Sequence, residues 1–165
     1  MHIPFDTAQW PDLWKNVEFK EYRRFPRIAL PPAPPIIASL GEILKTRSTK
    51  RQFDYTQPLS TRELSSLLFW SAGIREGHQT IQRSFRFYPS GGARYPLEIY
   101  FYFAGNNELP RATYHYNVKE HSAERLIHVR AIETNFTHFS SYSWAHNPSL
   151  FLFVTAVFDR TMRKY

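Results

Sequence analysis

Residues 88–103 read YPSGGARYPLEIYFYF, and this stretch decides the fold. A proline, a serine and two adjacent glycines precede a dense run of aromatic and β-branched residues, although the chain of 165 residues has only 6 glycines. Glycine adopts positive φ at little cost and lets a ligand approach the backbone without meeting a Cβ atom. The pattern predicts a strand over residues 97–104, which begins after a turn whose N–H groups point to one side. Such a concavity suits an anion or the edge of a ring, whereas the plainer interpretation is a turn alone.

The composition bounds the class of protein. With 42% hydrophobic and 17% aromatic residues, the chain is long enough for one domain with its own core and is not intrinsically disordered. The absence of cysteine excludes disulfides, thiolate nucleophiles and cysteine-based metal sites. The net charge of +7 attracts anions. Charge alone suggests a nucleic-acid-binding domain, which is the weakest of the three functions considered in this subsection. Because the basic residues are scattered, we expect no nucleic-acid partner.

The histidines and the apolar runs give no sign of a metal or a membrane. His115 and His121 are isolated and fit strand or turn positions, so no metal site is expected. The longest apolar run, residues 150–158, is far shorter than the ~20 residues that a membrane helix needs. The N-terminus also lacks the pattern of a signal peptide. We therefore expect a cytoplasmic protein that does not bind membranes.

The chain divides into an arm and a domain. Residues 1–35 hold prolines at positions 4, 11, 26, 31, 32, 34 and 35, which exclude long helices and central strands. The sequence thus predicts an irregular, proline-rich N-terminal arm. Within it, PPAPP (residues 31–35) is interpreted as a stiff spacer or, alternatively, as a ligand for a proline-reading module. Residues 36–165 would form the domain.

Periodicity within the domain predicts an α+β fold. Apolar residues at helical spacing, with Ser39 as cap, predict a short helix that ends near Thr46. A capping box of Ser60 and Glu63 predicts a second helix that stops at Gly73. Helices come first and most strands later, which favours the α+β class. The further predicted elements are strands over residues 113–117 and 150–158, the last buried on both faces, and a short helix over residues 121–129.

A second candidate site lies between the two predicted helices. In KTRSTKRQFD (residues 45–54), Arg47, Thr49 and Arg51 alternate and would point to one side of an extended chain. Two guanidinium groups and a hydroxyl on one side suit a phosphate, because arginine offers forked and permanently charged donors. On this motif alone, a solvated basic loop is the favoured interpretation.

Taken together, the motifs resemble those of a known family. An Arg-x-Ser/Thr-x-Arg/Lys-x-Phe segment, a capped helix, and Pro-Ser-Gly-Gly-Ala-x-x-Pro-Leu-Glu before a strand resemble the nitroreductase-like flavin family. The resemblance is greatest to its SagB-type dehydrogenase branch, which includes the azoline dehydrogenases of thiazole- and oxazole-forming peptide maturases. It covers residues 20–165 and implies an α+β fold that binds FMN at a homodimer interface.

The resemblance also implies roles for individual residues. Ala93 stands where many members have an asparagine near the flavin, which removes a side-chain bond at that position. The cofactor-binding residues that the resemblance implies are Arg47, Arg51 and either Thr49 or Ser48 for the phosphate and ribityl region, and Pro89, Ser90 and Gly91 along the flavin.

The last two residues match a catalytic pair of the azoline-oxidising branch. Lys164 and Tyr165 stand where that branch has a Lys-Tyr pair after an FDR strand. A lysine or tyrosine whose pKa is lowered by its surroundings can remove a proton, while the flavin accepts a hydride. Family members continue beyond this point, so the resemblance implies that the chain corresponds to their N-terminal half.

Two functions of different classes follow. The first is an FMN-dependent oxidoreductase, dehydrogenase or nitroreductase-like, that acts on a small-molecule or peptide substrate such as an azoline. The alternative is a non-catalytic or complementing subunit of a peptide-modification complex that retains the scaffold. As protein partners, we expect a second copy of the chain in a homodimer or a separate chain that supplies the second half.

Overall fold

The computed structural model describes residues 19–50, 59–75, 85–128 and 146–162, together with positions 52, 57, 141 and 142. No helix in these ranges is long and apolar enough to cross a membrane. The strands are β1 (Arg27–Ala29), β2 (Leu97–Phe103), β3 (Ala112–Asn117), β4 (Ser122–His128) and β5 (Leu150–Ala156). The helices are α1 (Leu40–Thr46), α2 (Thr61–Ala72) and α3 (Asp159–Met162).

One antiparallel sheet organises the chain. Its strands pair in the order β1–β4–β3–β2–β5, so β3 is central, and every residue of β3 is buried. In this register His115 of β3 lies opposite Tyr100 of β2 and opposite Glu124 of β4. Because side chains alternate along a strand, the register places one set of residues on the α2 side of the sheet and the other set on the opposite side.

Helix α2 covers the apolar face of the sheet. Its predicted capping box is present, since the Ser60 hydroxyl accepts the N–H of Glu63 and the Glu63 carboxylate accepts the N–H of Ser60. Leu64 and Leu68 are 0% and 1% exposed and belong to the main core. The sheet and its loops contribute the other members of this core, Phe101, Phe103, Leu109, Ala112, Tyr114, Tyr116 and Ala123.

The opposite face of the sheet is equally buried but charged. Glu98, His115 and Glu124 lie side by side on β2, β3 and β4 and are at most 3% exposed. The backbone N–H of Tyr22 donates to Glu124, and Arg160 of α3 forms an ion pair with Glu98. The N-terminal arm and the last helix therefore enclose this face.

Helix α1 has few neighbours. Its predicted cap is confirmed, because Ser39 forms a capping box with Glu42. All of its residues are exposed, among them Leu40 at 71% and Leu44 at 66%. Within the described ranges nothing covers the apolar side of this helix.

One predicted helix is a strand. Residues 121–129 were expected to be helical, but residues 122–128 form β4. His121 has φ 44° at the end of the tight turn that follows β3, so the chain reverses and pairs with both β3 and β1. Hydrogen-bonded ladders on both sides outweigh the helix propensity of this segment.

The burial predicted for the last strand is also wrong. β5 matches the predicted strand in position, but among the described residues it is an edge strand that pairs with β2 alone. Leu152 and Val154 are 41% and 60% exposed. A continuous apolar run looks the same in a strand buried on both faces and in an edge strand whose cover comes from elsewhere.

Candidate functional site around the glycine turn

Residues 89–95, named the glycine turn below, close tightly before β2. A 3₁₀ turn lies at the centre, and the Ser90 hydroxyl oxygen accepts the N–H of Tyr95 at 2.9 Å. The three residues predicted to lie along a flavin therefore share one short turn. Two of them, Pro89 and Gly91, are exposed and within reach of a ligand.

The backbone of this turn is strained. Gly92, Ala93 and Tyr95 have left-handed φ values of 57°, 54° and 46°. Glycine tolerates this region, whereas for residues with a Cβ atom it costs about 1–2 kcal/mol each. Such conformations persist where the surroundings hold them, and they cluster at ligand sites. The turn is thus a candidate site on its geometry as well as on its sequence.

Two arginines connect the glycine turn to α3 by reciprocal hydrogen bonds. Nε of Arg94 donates to the carbonyl of Arg160 at 3.0 Å, and Nη1 of Arg160 donates to the carbonyl of Tyr95 at 3.0 Å. Arg94 and Arg160 are each 5% exposed. Buried charge-assisted hydrogen bonds are strong, so the turn and the start of α3 form one unit.

A third buried arginine lies against the base of the turn. Nη1 of Arg86 donates to the Tyr88 hydroxyl at 3.4 Å and to the Leu97 carbonyl at 3.3 Å. Its Nε and Nη2 are buried and have no acceptor within the described part of the chain. The guanidinium carbon lies 5.8, 6.0 and 5.4 Å from the ring centres of Phe19, Tyr88 and Tyr95. Burial lowers the pKa of Arg86.

A row of charges continues from the turn across the sheet. Nε2 of His115 lies 2.9 Å from a carboxylate oxygen of Glu98, and Nδ1 lies 2.9 Å from one of Glu124. Burial raises the pKa of Glu98, but the hydrogen bonds from His115 and Arg160 outweigh it, so the pKa is lowered overall. The pKa of Glu124 is likewise raised by burial and lowered overall by hydrogen bonds, first that from Asn117. Both carboxylates are therefore ionised at neutral pH.

The structure describes only part of the basic motif. Arg47, Ser48 and Thr49 follow α1 as exposed chain without regular secondary structure. Among the residues described, no hydrogen bond or ion pair connects these three to residues 89–95. Their role in binding a phosphate stays a prediction. The predicted site residues that lie outside the described ranges are Arg51, Lys164 and Tyr165.

A cleft of 710 Å³ separates the proline arm from the C-terminal end of α2. Phe69, Trp70 and Phe87 form its aromatic wall, with ring centres 4.9–5.3 Å apart. The indole N–H of Trp70 donates to the carbonyl of Pro34 at 2.9 Å, which fixes the arm beside the helix. The volume is typical of ligand pockets, but none of the predicted site residues that the structure describes lines this cleft.

His121 fixes the arm at the edge of the same cleft. Its Nδ1 lies 2.8 Å from the Tyr116 hydroxyl, and its Nε2 lies 2.8 Å from the Ser65 hydroxyl and 3.2 Å from the Pro31 carbonyl. Burial lowers the pKa of His121 and outweighs the opposite effect of the Pro31 carbonyl. His115 lies in β3 and His121 in the turn that follows it, whereas the helix predicted to begin at residue 121 is absent from the described residues.

The buried charges around the turn were not predicted from the sequence. The strands LEIYFYF and TYHYN carry one charged or titratable residue each among aromatic ones, and Arg86 stands three positions before the turn. A charged residue inside an apolar strand pattern is the signal that would have indicated a buried polar site. The residues concerned are Arg86, Arg94, Glu98, His115, Glu124 and Arg160.

Comparison with known proteins places these features in context. No family model matches the chain. A curated relative from Methanocaldococcus jannaschii, named "Putative nitroreductase", is 31% identical over 131 residues, which cover 76% of this chain and 61% of the relative. The chain therefore spans less than two thirds of the length of the curated relative that it matches.

Two solved structures that carry the same description share the fold. The structure from Anabaena variabilis has a TM-score of 0.62 at 24% identity and covers 99% of this chain and 30% of its own. The structure from Ralstonia eutropha has a TM-score of 0.62 at 24% identity and covers 84% of this chain and 59% of its own. The predicted fold class is confirmed: the chain has a nitroreductase-like α+β fold.

Proposed function

We propose that the chain is an FMN-dependent oxidoreductase of the nitroreductase-like family, or the N-terminal part of one. The fold and the 31% identical relative support the family. The observation that carries the proposal is the strained glycine turn before β2, because it exposes backbone at Pro89 and Gly91 and is held rigidly by Arg94 and Arg160.

The donors around the turn fit FMN. Nε and Nη2 of Arg86 and Nε of Arg160 are buried and lack acceptors in the described ranges. FMN carries a phosphate and ring oxygens and nitrogens that accept hydrogen bonds, so a cationic, donor-rich surrounding matches it. In this proposal Pro89, Ser90 and Gly91 would hold the flavin. When bound, FMN supplies the acceptor for a hydride.

The phosphate of FMN would be held by the basic motif after α1. Arg47 and Arg51 would supply forked, charged donors, and either Thr49 or Ser48 a hydroxyl. The described members of this motif are exposed and therefore free to close on a ligand. This part of the proposal rests on the sequence pattern.

The substrate proposed is an azoline in a modified peptide. Its oxidation to an azole removes a hydride and a proton from the ring. Lys164 or Tyr165 would take the proton, and α3, which precedes them, is anchored to the glycine turn by Arg160. The hydrogen bonds of Arg94 and Arg160 would thus hold the base in a fixed position relative to the flavin-binding turn.

A second candidate is a complementing subunit without catalysis of its own. Its support is the exposed apolar surface of α1 and of the chain around β5, where Leu40, Val154 and Phe158 are 71%, 60% and 72% exposed. Exposed apolar patches, when large, are typical of interaction sites. A second copy of the chain, or a chain that carries the remainder of the fold, would cover this surface.

Flavin retention tests the proposal. Purified chain is mixed with FMN or with riboflavin, desalted, and examined by visible absorbance. We expect FMN to be retained and riboflavin to be lost more readily, because only FMN carries the phosphate. The double variant Arg47→Ala/Arg51→Ala should lose FMN, whereas Arg62→Ala, which changes an exposed arginine of α2, should retain it.

Two other outcomes of this experiment are informative. FMN retained equally by the double variant would show that the phosphate is held elsewhere. A chain that retains no flavin but forms a stable dimer by light scattering would favour the complementing subunit over the enzyme.

A further inference from the structure

Among the described residues, the buried charge around the glycine turn does not balance. Arg86 and Arg160 are each 5% exposed, and the described acid beside them is Glu98, at 3%. Glu98 is already engaged by Arg160 and by His115. Buried charges in native proteins are normally paired, so the excess of positive charge calls for an anion.

The next acid along the sheet does not supply that anion. Glu124 accepts hydrogen bonds from Arg27, Asn117, His115 and the backbone of Tyr22. These four donors occupy both of its oxygens. Within the described ranges, no carboxylate accepts a hydrogen bond from Nε or Nη2 of Arg86.

The unpaired nitrogens of Arg86 lie on one edge of the guanidinium. Nε and Nη2, the two atoms without acceptors, form the side that binds two oxygens of a carboxylate or phosphate at once. The aromatic rings around Arg86 attract its positive charge through their faces, but they leave these two N–H donors without an oxygen acceptor. Buried donors without acceptors are rare in native proteins.

We propose that Arg86 is the anion-binding residue of the glycine turn and receives one oxyanion, a phosphate or a carboxylate group, through Nε and Nη2. The ligand would approach past Phe19 and Tyr88, because these rings are half-buried whereas Tyr95 is 4% exposed. The site does not depend on FMN, since either a phosphorylated ligand or a carboxylate substrate satisfies the same edge.

Anion-specific stabilisation tests this site. Thermal unfolding of the chain is followed in sodium phosphate, sodium acetate and sodium chloride at equal ionic strength and neutral pH. We expect phosphate or acetate to raise Tm above its value in chloride, with saturation as the anion concentration rises. A response to phosphate alone identifies a phosphate group as the ligand, and a response to acetate a carboxylate. No difference from chloride would overturn the proposal.

Two variants locate the effect. Phosphate also stabilises proteins without binding a site, so the comparison of variants is decisive. Arg86→Gln should lose the saturable part of the shift in Tm. Arg75→Gln should keep it, because Arg75 is exposed and its backbone N–H bonds to the carbonyl of Phe85, beside Arg86. Equal loss in both variants would overturn the assignment to Arg86.

Spectroscopy of the wild type keeps the test decisive if Arg86→Gln does not fold. In ¹H–¹⁵N spectra, one arginine Nε–H resonance, absent from Arg86→Lys, should shift on titration with the anion that raises Tm. No shift at saturation would overturn the proposal. An anion effect without FMN retention would refute the flavin function and leave this site intact. FMN retention without an anion effect would refute this site and leave the flavin function intact.

Discussion

On the α2 side of the sheet, Phe101 and Tyr114 stack with ring centres 5.1 Å apart, whereas on the other side Glu98, His115 and Glu124 form a continuous hydrogen-bonded row. Both sets of residues are almost fully buried. Apolar contacts are non-directional, so a core of this kind tolerates changes of shape at moderate cost. A buried ion pair is directional, and losing one partner leaves an uncompensated charge.

The two faces also contact the glycine turn in different ways. Through Arg160, the charged face is bonded to the carbonyl of Tyr95 in the glycine turn. The apolar face reaches the turn through ring contacts, since Tyr88 packs against the main core and its ring centre lies 5.4 Å from that of Tyr95. A substitution on the charged face should therefore disturb both stability and the site, and one on the apolar face chiefly stability.

The largest effect is expected on the charged face. His115→Leu should lower the free energy of unfolding by about 3–5 kcal/mol, because Glu98 and Glu124 then face each other without the shared donor. Urea unfolding measures it. Thr113→Val is the matched control on the same strand and face, since the Thr113 hydroxyl is buried without a partner in the described ranges and its loss should be neutral or stabilising. Equal destabilisation by both variants would refute the ion-pair explanation.

A smaller effect is expected on the apolar face. Leu68→Ala should lower the free energy of unfolding by about 2–5 kcal/mol, since it leaves a cavity where a side chain is 1% exposed. Its neighbour Leu67 is 45% exposed, so Leu67→Ala should change stability by about 0.5 kcal/mol or less. The same urea series compares them. Similar losses in both would mean that α2 does not pack as described.

The elements that the sequence predicted are those with local signals. The capping boxes at Ser39 and Ser60 each lie within four residues. The paired glycines predict the turn at Gly91 without information from distant parts of the chain. Helix starts, the turn and the central strands were therefore predicted close to their observed positions. The confirmed α+β fold follows from their order along the chain.

The elements that the sequence missed depend on pairing at a distance. β4 is a strand because β1 and β3 lie on either side of it, which no local pattern encodes. The hydrogen bonds of His115 to Glu98 and Glu124 arise from the register of three strands, and the bond between Arg94 and Arg160 joins residues 66 positions apart. Much of the candidate site is of this second kind, so the sequence identified the turn but not the charges that hold it.

The smallest expected effect is on the pH dependence of the free energy of unfolding, in which the two faces should contribute at different pH values. His121, on the α2 side, has a pKa lowered from its ordinary value of 6.5, chiefly by burial. As the pH falls below 6.5, the unfolded chain binds the proton first, so the free energy of unfolding should decrease, by at most about 1.4 kcal/mol per pH unit for one group, and level off below the lowered pKa. Glu98 and Glu124 have pKa values lowered from 4.5, so their contribution is complete above 4.5 and is lost only as the pH falls through those lowered values. Urea unfolding at a series of pH values should therefore show two separate declines. His121→Gln should remove the one near pH 6.5 and keep the acidic one; if both persist in this variant, the ring that fixes the arm is not the group that titrates.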